Sequence, residues 1–191
     1  MAAALPTVLI VPGLREHADA HWQTLLEREL MAQGRDVRTV SPMGRTDLDC
    51  ARRVVAIENA ARAVAGPLVL VAHSAGCVMV AHWARLTRCA VRGALLAAPP
   101  DFERPMPEGY PTLDELRANL WLAVPRQRLP FHSIVAASRN DPLAAYGRVA
   151  ELAEDWGGQL IDLGAAGHLN PASGFGRWTD AELLVDELSY C

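Results

Sequence analysis

The 191 residues exceed the usual ~150-residue domain only modestly, so one complete core and little else is expected. Hydrophobic residues make up 51% and charged residues 21% of the chain, ordinary globular usage that excludes disorder and collagen-like or mucin-like architectures. Eighteen Lys plus Arg against 22 Asp plus Glu give a formal charge of −4, with basic residues clustered only in pairs such as Arg52-Arg53, which excludes the dense positive surface of a nucleic-acid binder.

The apolar opening, Met1 to Val11, has no basic leader and runs into Pro12-Gly13, well short of the ~20 residues that cross a bilayer. It reads as the first strand of a soluble, cytoplasmic protein. From there a short β-branched run, a turn and a longer stretch of helical spacing recur, the pattern of βαβ units and a mostly parallel sheet. Candidate strands are Thr7 to Val11, Asp36 to Val40, Leu68 to Ala72, Val91 to Ala97, His132 to Ala136 and Gln159 to Leu163. Their near-continuous apolar character suits strands buried on both faces. Between them Cys50, Val54, Ile57, Ala61 and Val64 share one helical face. So do Leu143, Tyr146, Val149, Ala150, Ala153 and Trp156, and later Ala181, Leu184, Val185 and Leu188.

One segment breaks the rhythm. Pro99 to Pro130 holds seven of the 13 prolines, and inside it Thr112-Leu113-Asp114-Glu115 has the form of a capping box opening a short helix to about Trp121. A semi-rigid excursion over one edge of the sheet is expected, too short for a large cap. The fold expectation is therefore a single α/β domain over residues 1–191, about six strands with helices on both faces. Cys50, Cys77, Cys89 and Cys191 show no metal-type spacing and are expected as thiols in a reducing compartment.

The stretch from Leu68 to Val80 carries the chemistry. A buried strand ends at His73-Ser74, small residues Ala72 and Gly76 flank the serine, and an apolar helix follows at once. This is the context of a nucleophile elbow, in which a sharp strand-to-helix turn lifts the hydroxyl above the sheet. A serine there also suits plain helix capping, so the partners decide. In such a sheet the acid follows at the end of a later strand and the histidine in a loop after the last one. Asp141, in Ser138-Arg139-Asn140-Asp141-Pro142, and His168, in Ala165-Ala166-Gly167-His168-Leu169-Asn170, occupy those places. Asp before Pro is also an ordinary helix start, and Asp101, Asp162 and Asp180 stand as alternative acids, Asp101 being the most serious. His73 and His82 read as packing residues. His17, His21 and His132 lack zinc-ligand spacing. At the first strand's end Gly13 permits a turn, and the amides of Leu14 and Ala75 are candidate oxyanion donors. With no glycine-rich phosphate loop and no lysine at all, no cofactor is expected.

Val11-Pro12-Gly13-Leu14, His21-Trp22-Gln23, His73-Ser74-x-Gly76, Asp141-Pro142 and Gly167-His168-Leu169-Asn170, followed by Ser173-Gly174-Phe175-Gly176-x-Trp178, together resemble the small serine hydrolases of the retinoblastoma-binding protein 9 or YdeN type. That resemblance spans nearly the whole chain and implies the α/β-hydrolase fold with Ser74, Asp141 and His168 as its triad. Two features depart from the pattern. Ala72 stands where the elbow glycine is usual, and Leu48-Asp49-Cys50-Ala51 is followed by Arg52, so the Leu-x-Cys-x-Glu retinoblastoma-binding motif and its partner are not carried over. The reading adopted is a cofactor-independent serine hydrolase of small esters, thioesters or amides, with a small-molecule partner and neither nucleic acid nor membrane. An acyltransferase and a non-catalytic binding module on the same fold share all of these residues.

Overall fold

The computed structural model describes residues 5–14 and 18–190; His17 and Cys191 lie outside them. The elements run β1 (Thr7–Val11), α1 (Trp22–Ala32), β2 (Val37–Thr39), α2 (Cys50–Arg62), β3 (Leu68–His73), α3 (Ala75–Ala84), β4 (Val91–Ala97), α4 (Leu113–Ala118), β5 (His132–Ala137), α5 (Tyr146–Trp156), β6 (Gln159–Asp162) and α6 (Asp180–Ser189). All six expected strands form, and the sheet is parallel throughout in the order β2-β1-β3-β4-β5-β6.

Strand alternation divides the core into two layers. Leu9 and Val11 of β1, Leu68, Leu70 and Ala72 of β3, and Leu96 of β4 pack with α2, α3 and α5. Their neighbours Val8, Ile10, Val69, Val71 and Leu95 pack with Trp22, Leu26 and Leu30 of α1 and with Ala181, Val185 and Leu188 of α6. Helices thus cover both faces, which is why the central strands read as near-continuous apolar runs, while the edge strands β2 and β6 are partly exposed. α3 is buried along nearly its whole length, as its all-round apolar sequence requires.

The Pro99 to Pro130 excursion is more firmly packed than its proline content suggests. It lines the cavity at the carboxyl edge of the sheet with Phe102, Met106, Tyr110 and Pro111, and it also packs deeply into the layer of α2 and α3. Phe102, Leu116, Trp121, Val124 and Leu129 are all buried there. The Trp121 indole meets the Phe102 ring edge-to-face at 5.2 Å and donates to the Leu48 carbonyl at 2.7 Å. Proline density signalled irregular backbone, whereas the apolar residues between the prolines decided its location. The Thr112–Glu115 capping box forms, yet α4 stops at Ala118 instead of reaching Trp121. The Asn119 side chain donates to the Glu115 carbonyl at 2.8 Å, and Leu120 turns the chain at φ 62°.

From β1 the chain passes outward to β2, then crosses back to β3 on the other side of β1. The connections diverge at the carboxyl ends of β1 and β3, the crevice where open parallel sheets place their sites. Among the described residues no helix is long and apolar enough to cross a membrane.

Candidate active site

Ser74 leaves β3 at φ 54° and ψ −129°, and its side chain makes no capping bond to α3. Plain helix capping is therefore not its role. The turn is possible because Gly76 has no side chain: a Cβ there would lie 2.5 Å from the Val11 carbonyl oxygen and 2.9 Å from that of Pro12. Ala72 is accommodated within the paired part of β3, opposite Val11 and Leu96, so its replacement of glycine leaves the turn intact.

Ser74 Oγ lies 2.8 Å from His168 Nε2, and His168 Nδ1 lies 2.8 Å from Asp141 Oδ2. A carboxylate only accepts, so Nδ1–H donates to Asp141 and Nε2 is left to accept the Ser74 proton. The His168 and Asp141 side chains are 6% and 2% exposed, whereas Ser74 is half-buried and lines a cavity. The other Asp141 oxygen accepts the Leu143 N–H at 2.8 Å. Asp141 does not begin a helix, as Asp-Pro had allowed, because α5 starts only at Tyr146 with Ala145 as its cap.

The structure separates the rival acids from this chain. Asp101 accepts from Arg148 Nε at 3.0 Å and from the Glu103 N–H at 3.2 Å. Asp162 is engaged by Arg139 and the Gly164 N–H, and Asp180 sits in the first turn of α6. Among the histidines, His82 Nε2 donates to the Trp121 carbonyl at 3.2 Å, His132 is exposed at the start of β5, and His21 caps α1 through Nδ1. No group of residues suited to hold a metal ion occurs among the described residues. Cys77, three residues beyond Ser74, is no rival nucleophile: burial pushes its thiol well above the ordinary range, and Sγ donates to the Ala97 carbonyl. Cys50, Cys77 and Cys89 are free thiols.

Leu14 and Ala75 both line the cavity beside Ser74. Ala75 opens α3, so its N–H is among those with no acceptor inside the helix.

Several residues support the site in ways not read from the sequence, among them His73, which was expected only to pack. His73 Nε2 donates to the His168 carbonyl at 2.9 Å, fixing the backbone that carries the imidazole. Asn140 Oδ1 accepts the Gly167 N–H at 2.7 Å and the Ser138 hydroxyl at 2.9 Å, and Ser138 Oγ accepts the Ala166 N–H. The acid loop and histidine loop are thus tied together. Buried Gln23 donates to the Val11 carbonyl at 3.3 Å and the Val71 carbonyl at 3.0 Å, joining the ends of β1 and β3. The one sequence signal was the density of Ser and Asn around Asp141, and nothing in it specified the partners.

The parallel sheet, the diverging connections and a serine at the β3 turn define an α/β hydrolase. The family profile described as Serine hydrolase matches residues 8–187, and the chain belongs to that family. The chain is similar over 97% of its length to a protein described as a YdeN-like hydrolase from Pectobacterium atrosepticum, at 27% identity and a TM-score of 0.81, covering 91% of that chain. It is similar over the same share to the ydeN gene product of B. subtilis, at 18% identity and a TM-score of 0.77, covering all of that chain. Est1E from Butyrivibrio proteoclasticus shares the fold at 13% identity and a TM-score of 0.69, with 97% and 86% of the two chains covered. The present chain is a small serine hydrolase similar to the YdeN-type hydrolases. No protein of curated function matches the sequence.

Proposed function

We propose that this hydrolase cleaves small esters, thioesters or amides through an acyl-enzyme on Ser74. The observation that carries the reading is the continuous hydrogen-bonded chain from Ser74 through His168 to Asp141, opening onto a cavity of about 240 Å³. As Ser74 Oγ attacks the substrate carbonyl carbon, its proton passes to His168 Nε2. Asp141 holds the imidazole by its Nδ1–H and stabilises the imidazolium that forms. The oxyanion that develops is met by the N–H groups of Leu14 and Ala75. Collapse of this adduct breaks the bond to the leaving group, which takes the proton from His168, and leaves Ser74 acylated. Water then attacks, gives its proton to His168, and release of the acid returns that proton to Ser74. The partner this chemistry requires is a small molecule.

Rapid-mixing kinetics with 4-nitrophenyl acetate test the reading. A burst of nitrophenol stoichiometric with enzyme is expected, and acid-quenched protein should carry acetyl on the peptide containing Ser74. Turnover that persists undiminished in Ser74→Ala, with no acyl adduct, would contradict it.

A further inference from the structure

The wall of the cavity over Ser74 is apolar along much of its extent, with Leu14, Phe102, Met106 and Leu143 among its residues. Among its described residues Arg45 is the one guanidinium, and neither an ammonium nor a carboxylate joins it. Arg45 is exposed at the cavity mouth, and no carboxylate of the described residues pairs with it. The acids on the same loop are already engaged. Asp47 pairs with Arg52 at 2.7 Å, and Asp49 caps α2 by accepting the Arg52 N–H at 3.0 Å.

The loop is also held in place. Arg53 is 4% exposed and donates to the Gly44 carbonyl at 2.7 Å and the Asp47 carbonyl at 2.9 Å. A buried guanidinium therefore pins the backbone on both sides of Arg45. Anchoring lowers the entropy lost when the Arg45 side chain engages a ligand, and its planar fork matches a carboxylate in two parallel hydrogen bonds. The protein as a whole is negative and repels anions at long range, and among the described residues Arg45 is the guanidinium placed to give this cavity a local preference for them.

We propose that Arg45 is a specificity determinant that binds a carboxylate carried by the substrate away from the scissile carbonyl, making the preferred substrates anionic esters, thioesters or amides. The inference rests on Ser74 as the nucleophile of this same cavity. The carboxylate sits either on the acyl part or on the leaving group, and two substrate pairs separate these cases. For the acyl side the pair is 4-nitrophenyl hydrogen adipate and its terminal primary amide. For the leaving-group side it is 3-carboxyphenyl butyrate and 3-carbamoylphenyl butyrate.

The quantity to measure is kcat/KM for acid over amide, compared between wild type and Arg45→Gln, so that the intrinsic reactivities of the two substrates cancel. On one arm that preference should be about fivefold smaller in Arg45→Gln, the scale of an exposed, charge-assisted pair. About 1 M NaCl should shrink it in wild type as well, because the pair faces solvent. An acid-to-amide ratio that is the same in both proteins on both arms would overturn the inference while leaving ester hydrolysis standing. If neither neutral nor anionic ester is turned over, the hydrolytic reading fails separately. Calorimetric binding of both pairs to Ser74→Ala then decides the matter: in one pair the acid should bind about fivefold tighter than its amide, and the advantage should vanish in the Arg45→Gln double variant. Equal binding of acid and amide to Ser74→Ala in both pairs would overturn the inference.

Discussion

Asp141 and Asp101 are two acids near the carboxyl ends of adjacent strands, and what each carboxylate touches separates their roles. Asp141 binds His168 Nδ1 and the Leu143 N–H. Asp101 is spent on Arg148 and the Glu103 N–H. Asp141→Asn places an amide against Nδ1 and favours the wrong imidazole tautomer, so kcat should fall on the order of 10⁴-fold with folding retained. Asp101→Asn should instead lower stability by about 1–3 kcal/mol, the range for disturbing a buried charge-assisted bond, and leave kcat within a few-fold. Ester kinetics and urea unfolding on both variants check this, and a large loss of kcat confined to Asp101→Asn would reverse the assignment. Before folding is considered the two acids look alike, since each lies beside proline after an apolar strand. The distinguishing fact is a contact between residues 27 positions apart, which no local pattern encodes. The places of Ser74 and His168 in the fold were easier to read because strand, small residues and loop constrain each of them locally.

At the scale of elements, the elbow works only while α3 can begin against the end of β1. Gly76→Ala would push a methyl group into two backbone carbonyls that cannot rotate away as a side chain would. It should cost about 1–3 kcal/mol of stability and slow acylation of Ser74, both measurable by urea unfolding and burst kinetics. An unchanged unfolding midpoint would show that β1 and α3 separate freely. α3 also carries His82, whose burial against the excursion lowers its pKa. Its folded pKa thus lies below the ordinary unfolded value of about 6.5, and the unfolded chain binds the extra proton first. Stability from the neutral imidazole is complete above that value and is lost as pH falls through the folded pKa. His82→Gln should therefore reduce the loss of stability between about pH 7 and pH 5 relative to wild type, and a pH-independent difference between their unfolding midpoints would contradict this. The central strands β1, β3, β4 and β5 were legible nearly to the residue because each is a short apolar run, too short for a helix and bounded by turn residues, whereas the edge strands β2 and β6 are partly exposed. The excursion was not legible in this way, because composition reports missing regular structure without reporting which surface the intervening Phe102 and Trp121 will cover.

For the whole molecule, the same excursion sets the size of the site. It contributes Phe102, Met106, Tyr110 and Pro111 to the cavity wall, but its one helix, α4, is six residues long. No large helical cap arises from it. A cavity of about 240 Å³ receives a short acyl group and leaves the rest of a long one in water, so added methylenes gain little of the ~0.8 kcal/mol that full burial gives each. Butyryl nitrophenyl esters should be cleaved at least as efficiently as dodecanoyl esters, and a kcat/KM rising about tenfold along that series would reveal an enclosed acyl tunnel. The architecture as a whole followed from the βαβ rhythm, whereas the ties that stiffen the site, through Gln23, His73, Ser138 and Asn140, come from side chains whose partners lie on other elements. The central claim is that Ser74 is the activated nucleophile, and labelling with a fluorophosphonate probe tests it most directly. Wild type should take up one probe per chain, on the peptide carrying Ser74, and Ser74→Ala should take up none; equal labelling of the two proteins would contradict the account.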